Sequence, residues 1–139
     1  MMINTMIIPG ESLGGIKLGN NVEDLIYALS DIYFLDSGPD SIIINGGMIT
    51  AYHNDRGQVV ALSCDSSFKG NFQAKLWPGM TVSDVQRTTK KQIAEEGFVK
   101  VDKISGGGLP LPKDRDDFER LTDHFSDDYV FEELWVYRH

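Results

Sequence analysis

Apolar residues fall along this chain in short blocks, and the spacing within the blocks changes from alternating to helical and back. Ile3–Ile8 reads as a first strand ended by Pro9-Gly10. Glu11–Gly19 carries Gly14, Gly15 and Gly19 and reads as a loop leading into a helix. Asn21 is placed to cap that helix, and Asp24 three residues on completes an approximate capping box. Val22, Leu25, Ile26 and Leu29 then recur at helical spacing and make one apolar face. Ser37-Gly38-Pro39-Asp40 breaks the chain. Ile42–Ile44 and Met48–His53 read as strands around Asn45-Gly46-Gly47, and the turn Asn54-Asp55-Arg56-Gly57 leads into a third strand, Val59–Cys64.

The second half opens in the same way. Gly19-Asn20-Asn21-Val22-Glu23-Asp24-Leu25 matches Gly79-Met80-Thr81-Val82-Ser83-Asp84-Val85 in glycine, valine and aspartate at a constant offset of 60 residues. The spacing predicts a second helix over Val82–Glu96, with Val82, Val85, Thr89 and Ile93 as its stripe and Gly97 as its stop. Phe98–Ile104 alternates as a strand. Ser105–Pro112, with three consecutive glycines, reads as a long mobile loop. In the acidic stretch that follows, Phe118, Leu121 and Phe125 suit one face of a short helix. Tyr129–Tyr137 reads as a single last strand, with Tyr129, Phe131, Trp135 and Tyr137 on one face and Val130, Leu134 and Val136 on the other. The expected fold is α+β: an antiparallel sheet with helices packed on it, in one domain built from two degenerate helix-plus-strands units, about 11–70 and about 72–139.

Composition supports a globular chain, with 41% hydrophobic and 24% charged residues among 139. The net charge of −8 disfavours direct nucleic-acid binding, which rests on cationic contacts to phosphates. No apolar run is long enough to span a membrane, and the short apolar N-terminus lacks the charged start and cleavage site of a secretory leader, so the cytoplasm is the expected compartment. The single cysteine, Cys64, lies in an expected strand and reads as a buried, inert thiol.

No catalytic set emerges from the residue order. His53 stands beside Asp55, a pairing too common to indicate catalysis; His124 has no motif around it, and His139 ends the chain and reads as frayed. One cysteine and scattered histidines do not make a zinc motif. Asp114-Arg115-Asp116-Asp117 lacks the spacing, glycine and distal glutamate of a calcium loop. The glycine runs match neither a phosphate loop nor a dinucleotide fingerprint. No enzyme activity, metal or cofactor is therefore expected.

Charge is the more informative signal. From Lys113 onward the chain holds nine carboxylates against four basic residues, whereas residues 71–112 hold four against six. The candidate partner-binding residues are Asp114, Asp116, Asp117, Glu119, Asp123, Asp127, Asp128, Glu132, Glu133 and Trp135. Aromatic anchors beside carboxylates suit a protein-binding surface, where the rings supply affinity and the charge supplies steering. The other reading of the same residues is a final strand whose aromatics are core, beside a solvated acidic segment.

The opening Ile8-Pro9-Gly10-Glu11-Ser12-Leu13-Gly14-Gly15-Ile16-Lys17-Leu18-Gly19, with Val22, Asp24 and Leu25 after it and the turn Asn54-Asp55-Arg56-Gly57, resembles small bacterial immunity proteins of toxin systems, including contact-dependent growth inhibition. The helix-plus-sheet repeat is also similar to that of β-lactamase inhibitor proteins. The resemblance covers about residues 3–64 and, faintly, 72–96. Asn20 stands where the family often has Met, and Trp77-Pro78 is inserted before the second glycine. Its motifs are turns and caps, so it carries no functional residue across. It implies an immunity protein that binds and neutralises a cognate toxin domain, a basic nuclease being the natural acidic-surface partner. The alternative from the residues is a cytosolic structural or ligand-binding domain with no toxin partner.

Overall fold

A computed structural model describes residues 1–138; His139 lies outside the described residues. The described residues form an α+β fold with two α-helices and antiparallel sheets. In the first strand region Ile7–Ile8 (β1) forms the strand, and Met6 makes a single parallel bridge to Asn71. The glycine-rich segment after it is not a plain loop: Ser12–Leu13 (β2) and Ile16–Lys17 (β3) close a small three-stranded sheet, β1-β2-β3. Leu13 and Ile16 are fully buried, so this sheet is part of the core.

Helix α1 is Val22–Leu29, and Asn21 caps it by accepting from the amides of Glu23 (2.9 Å) and Asp24 (3.2 Å). It buries Val22, Leu25 and Leu29, while Ile26 is only half-buried. A meander follows: Leu35–Ser37 (β4), Ser41–Ile44 (β5), Ile49–His53 (β6) and Val59–Cys64 (β7). The breaker 37–40 joins β4 to β5, so the strand before it, too short and polar to read from the pattern, escaped the sequence.

The second helix is shorter than its apolar stripe suggests. Met80–Thr81 (β8) leads into α2, Val82–Thr88, which Thr81 and Asp84 start with a full capping box. Its end has a local cause. The Thr88 and Thr89 hydroxyls donate back to the carbonyls of Asp84 and Val85, and Thr89 is already extended. The next two amides, Lys90 and Lys91, donate to the Asp102 carboxylate at 2.8 and 2.9 Å. Gln92–Glu95 is therefore strand β9 rather than helix, and it pairs with Phe98–Val101 (β10). Glu96 and Gly97 both have positive φ, as a two-residue type I′ hairpin requires. Gly97 does need the left-handed conformation that a helix stop would use, but it turns a hairpin instead.

The expected mobile loop contains a buried strand. Gly107–Pro110 (β11) pairs with β10 on one side and with Leu134–Tyr137 (β13) on the other. Here glycine serves close approach rather than flexibility. A Cβ on Gly108 would lie 2.8 Å from the Val99 carbonyl, and one on Gly107 would lie 3.1 Å from the Pro9 side chain. The acidic stretch is also not a helix. It forms two single 3₁₀ turns, Lys113–Arg115 and Leu121–Asp123, although Phe118, Leu121 and Phe125 are buried as their spacing suggested. Finally, the last strand is split: Val130–Phe131 (β12) pairs with β8, and only β13 enters the main sheet.

The main sheet has eight strands in the order β4-β5-β6-β7-β13-β11-β10-β9. One face carries Ile42, Ile44, Ile49, Ala51, Leu62, Cys64, Leu134, Val136, Leu109, Val99 and Val101. These join the buried residues of both helices and Phe118, Leu121, Phe125 and Phe131 in a single core cluster. At roughly 1.5–3 kcal/mol per fully buried large apolar side chain, that cluster dominates folding. Among the described residues, no helix lies on the other face of the sheet.

Candidate functional site

The uncovered face follows from strand alternation. Along β13, Leu134 and Val136 point into the core, so Trp135 and Tyr137 stand on the opposite face. Antiparallel register keeps partners on one face. Trp135 pairs with Ser63, which pairs with Thr50, while Tyr137 pairs with Ala61, which pairs with Tyr52. Phe98 joins them from β10. The four rings interlock: Trp135 stacks on Tyr52 with centroids 4.9 Å apart and planes 13° apart, Phe98 lies 6.1 Å from Trp135, and Phe98 lies 5.0 Å from Tyr137. Such pairs hold each other in place and add about 0.5–1.5 kcal/mol each beyond area burial.

Polar groups edge this aromatic strip. The Trp135 indole N–H donates to Glu133 at 2.9 Å, which locks the ring's orientation. Lys100 donates to Glu95 at 2.8 Å and sits 5.7 Å over the Tyr137 ring. The hydrogen bond to Glu95 holds the Lys100 pKa above the usual lysine value, so it stays charged. Burial raises the Tyr137 phenol, whose buried hydroxyl has no hydrogen-bond partner among the described residues. Small residues floor the strip: Ser63 is buried beneath it, and Gly108 beside Trp135 leaves room for Phe98. A rigid strip of Trp and Tyr rings, half-buried and facing solvent, suits recognition of another surface, because those residues supply large contact area at little conformational cost.

The candidate residues from the acidic stretch are not gathered into one patch with the aromatics. Asp114, Asp116 and Asp117 line a depression of ≈ 170 Å³ with Arg115 and His124. Arg115 lies 3.9 Å from Asp114 and spreads its guanidinium over the Phe125 and Tyr129 rings at 4.9 and 5.4 Å. Asp117 accepts from the Phe118 amide, Asp123 from the Arg120 amide and Asp128 from the Ser126 hydroxyl, so each closes a local turn. Glu119, Asp127, Glu132 and Glu133 are exposed. The stretch's own aromatics are not available as anchors. Phe118, Phe125 and Phe131 are core, and Tyr129 packs against them. The expectation of four aromatics on one face of the last strand is thus corrected. Tyr129 and Phe131 turn toward the core cluster, and only Trp135 and Tyr137 reach the open face, because the chain breaks at Glu132 between β12 and β13. Tyr52 and Phe98, which complete the strip, were not singled out from the sequence. The alternation Ile49-Thr50-Ala51-Tyr52 already set Tyr52 on the non-core face, but only sheet order brings it against Trp135.

His53 bonds through Nδ1 to the Asn54 carbonyl at 3.1 Å, as a strand-end histidine does. Cys64 is buried and weakly bonded to the Leu134 carbonyl, and burial pushes its pKa up to about 12, so it is an inert thiol. Among the described residues no three His, Cys, Asp or Glu side chains converge as a metal site would need, and no helix is long and apolar enough to cross a membrane. No protein-family model matches the chain, and neither a curated protein nor a solved structure matches it.

Proposed function

We propose that this protein is a non-catalytic, stoichiometric binder of the immunity type, which neutralises a cognate toxin domain by docking it on the open face of the eight-stranded sheet. The observation that carries this reading is the interlocked strip Tyr52–Trp135–Phe98–Tyr137 on a sheet face that no helix covers. The partner is a basic domain, a nuclease being the natural class. The chain carries −8, exposed Asp36 lies at one end of the open face, and Glu132 and Glu133 border Trp135. Steering by these charges raises the encounter rate, while the buried rings set the dissociation rate. The carboxylates of the 113–128 turns lie off the strip and contribute long-range attraction rather than the central contact. The work is done in the cytoplasm, on a protein rather than on nucleic acid or membrane.

The reading extends to the architecture. Two degenerate units, each a capped helix followed by four strands of the main sheet, meet through their last strands β7 and β13 at the sheet centre. Gly19 and Gly79 share a φ of +91°, and their amides donate to Val59 and Phe131 carbonyls. Val22 and Val82 likewise donate to the carbonyls of Gly57 and Tyr129. A duplicated unit explains why a fold this small presents so wide a single face.

The test is co-expression with the product of the directly adjacent upstream gene, followed by size-exclusion chromatography and calorimetry of the complex. An equimolar complex is expected, with Trp135→Ala weakening it by about 2 kcal/mol or more, the scale of a central aromatic anchor. No complex, or a complex that folded Trp135→Ala and Tyr52→Ala proteins form with unchanged affinity, overturns the proposal.

A further inference from the structure

Residues 66–79, within the connection from β7 to β8, and the last turn of α2 line a cleft of ≈ 540 Å³, within the range of small-ligand sites. Its charge opposes that of the whole chain. Lys69 and Arg87 line it and no carboxylate does, in a protein with 21 acidic residues. The smaller depressions whose linings carry charge all include a carboxylate: Asp24, Glu11 or the Asp114 group.

The donors in this cleft are incompletely used. Lys69 gives one N–H to the Ser66 carbonyl at 2.8 Å, which leaves two. Arg87 is held by Asp84 through Nη2 at 2.8 Å, so most of its five N–H groups remain free on an exposed side chain. The Asn71 carboxamide oxygen accepts from the Ala74 amide at 2.9 Å, which turns its remaining group, the NH₂, into a donor. Trp77 supplies an aromatic wall. The connecting loop is itself constrained: Gln73 and Ala74 hold φ values of 52° and 56°, a conformation that side-chain-bearing residues seldom adopt and that concentrates at ligand-binding loops.

We propose that this cleft binds a small organic phosphate carried on a planar ring, of mononucleotide size, with Lys69, Arg87 and Asn71 on the phosphate and the ring against Trp77. A lysine and a forked guanidinium match a phosphate's several acceptor oxygens, and an indole wall suits a flat ring. This site lies away from the aromatic strip and is independent of the proposed toxin contact.

Adenosine monophosphate, adenosine and inorganic phosphate serve as probes in titration calorimetry of the full chain. Adenosine monophosphate binds saturably with a sub-millimolar Kd, and adenosine or phosphate alone binds at least about tenfold more weakly. The double variant Lys69→Ala/Arg87→Gln, shown folded by circular dichroism, loses the mononucleotide by about tenfold or more, and Trp77→Leu loses the advantage over phosphate. No saturable heat at millimolar mononucleotide, equal affinity for phosphate alone, or an unaffected double variant overturns the proposal.

Discussion

Replacing Gly106 by Ala separates a buried strand from a mobile loop in one measurement. Gly106 has φ +82°, and a Cβ there would lie 2.5 Å from both the Cα and the N of Gly10 and 2.9 Å from the Tyr137 carbonyl. Its own carbonyl accepts from the amides of Gly10 (2.8 Å) and Tyr137 (2.9 Å), so it rivets the first turn to β13. Two costs add. A left-handed conformation costs a non-glycine residue about 1–2 kcal/mol. Forcing a methyl group between two backbone segments costs roughly 1–3 kcal/mol more, because main chain shifts less readily than a side-chain end. The expected loss is about 3 kcal/mol, a large part of the roughly 5–15 kcal/mol that holds a domain together. Gly97 is the internal control, since its φ is +85° but nothing lies within 4 Å of its Cβ position. Gly97→Ala should cost only the conformational part, about 1–2 kcal/mol. Urea unfolding followed by circular dichroism gives both numbers. A mobile loop at 105–112 would instead make Gly106→Ala neutral or stabilising by about 0.4–1 kcal/mol, through the less flexible unfolded chain. If Gly106→Ala is no more destabilising than Gly97→Ala, the close-packing argument is wrong.

Further outcomes follow from single contacts. Thr81→Ala removes half of the α2 capping box and should cost about 0.5–2 kcal/mol; an unchanged unfolding midpoint would show that Asp84 suffices without it. Asp102 is subject to burial, which raises its pKa, but the Lys91 and Lys90 amides and Lys75 outweigh this and hold it below the ordinary 3.8. A carboxylate lowered in the folded state stabilises above 3.8 and loses that contribution as pH falls below it, so Asp102→Asn should flatten the acid limb of the stability profile, and an identical limb in both proteins would refute this. Native Cys64 should resist a disulfide reagent until the protein unfolds, and labelling at the rate of a free peptide thiol would contradict its burial. Reversing Asp116 and Asp127 to Lys should leave the fold within about 0.5 kcal/mol per site, as exposed positions without side-chain bonds do, and should reduce only the salt-sensitive part of association with the proposed basic partner; cooperative unfolding of the variant would show these residues to be structural.

What the residue order determined was local. Asn21 and Thr81 announced two helix starts, because a cap satisfies amides within three residues of itself. The three strands 42–44, 48–53 and 59–64 were legible because alternation and glycine turns act over a few residues. Where a longer-range contact decided the structure, the residue order misled. Asp102, eleven residues past Lys91, takes the amides that would have extended α2. Gly106, Gly107 and Gly108 lie in a strand or at its edge because Gly10, Pro9 and Val99 press against them, a demand invisible in a run that by itself signals flexibility. The acidic stretch kept its buried Phe118, Leu121 and Phe125 but not its helix, since burial needs only the right spacing of apolar groups while a helix needs a continuous run of bonds. The candidate site divides along the same line. Trp135 was visible as an aromatic in a strand, whereas its neighbours Tyr52 and Phe98 come from separate hairpins. Only the sheet order β6-β7-β13-β11-β10 stacks them into one strip, because cross-strand contacts are set by which strands pair and not by how far apart they lie in the chain.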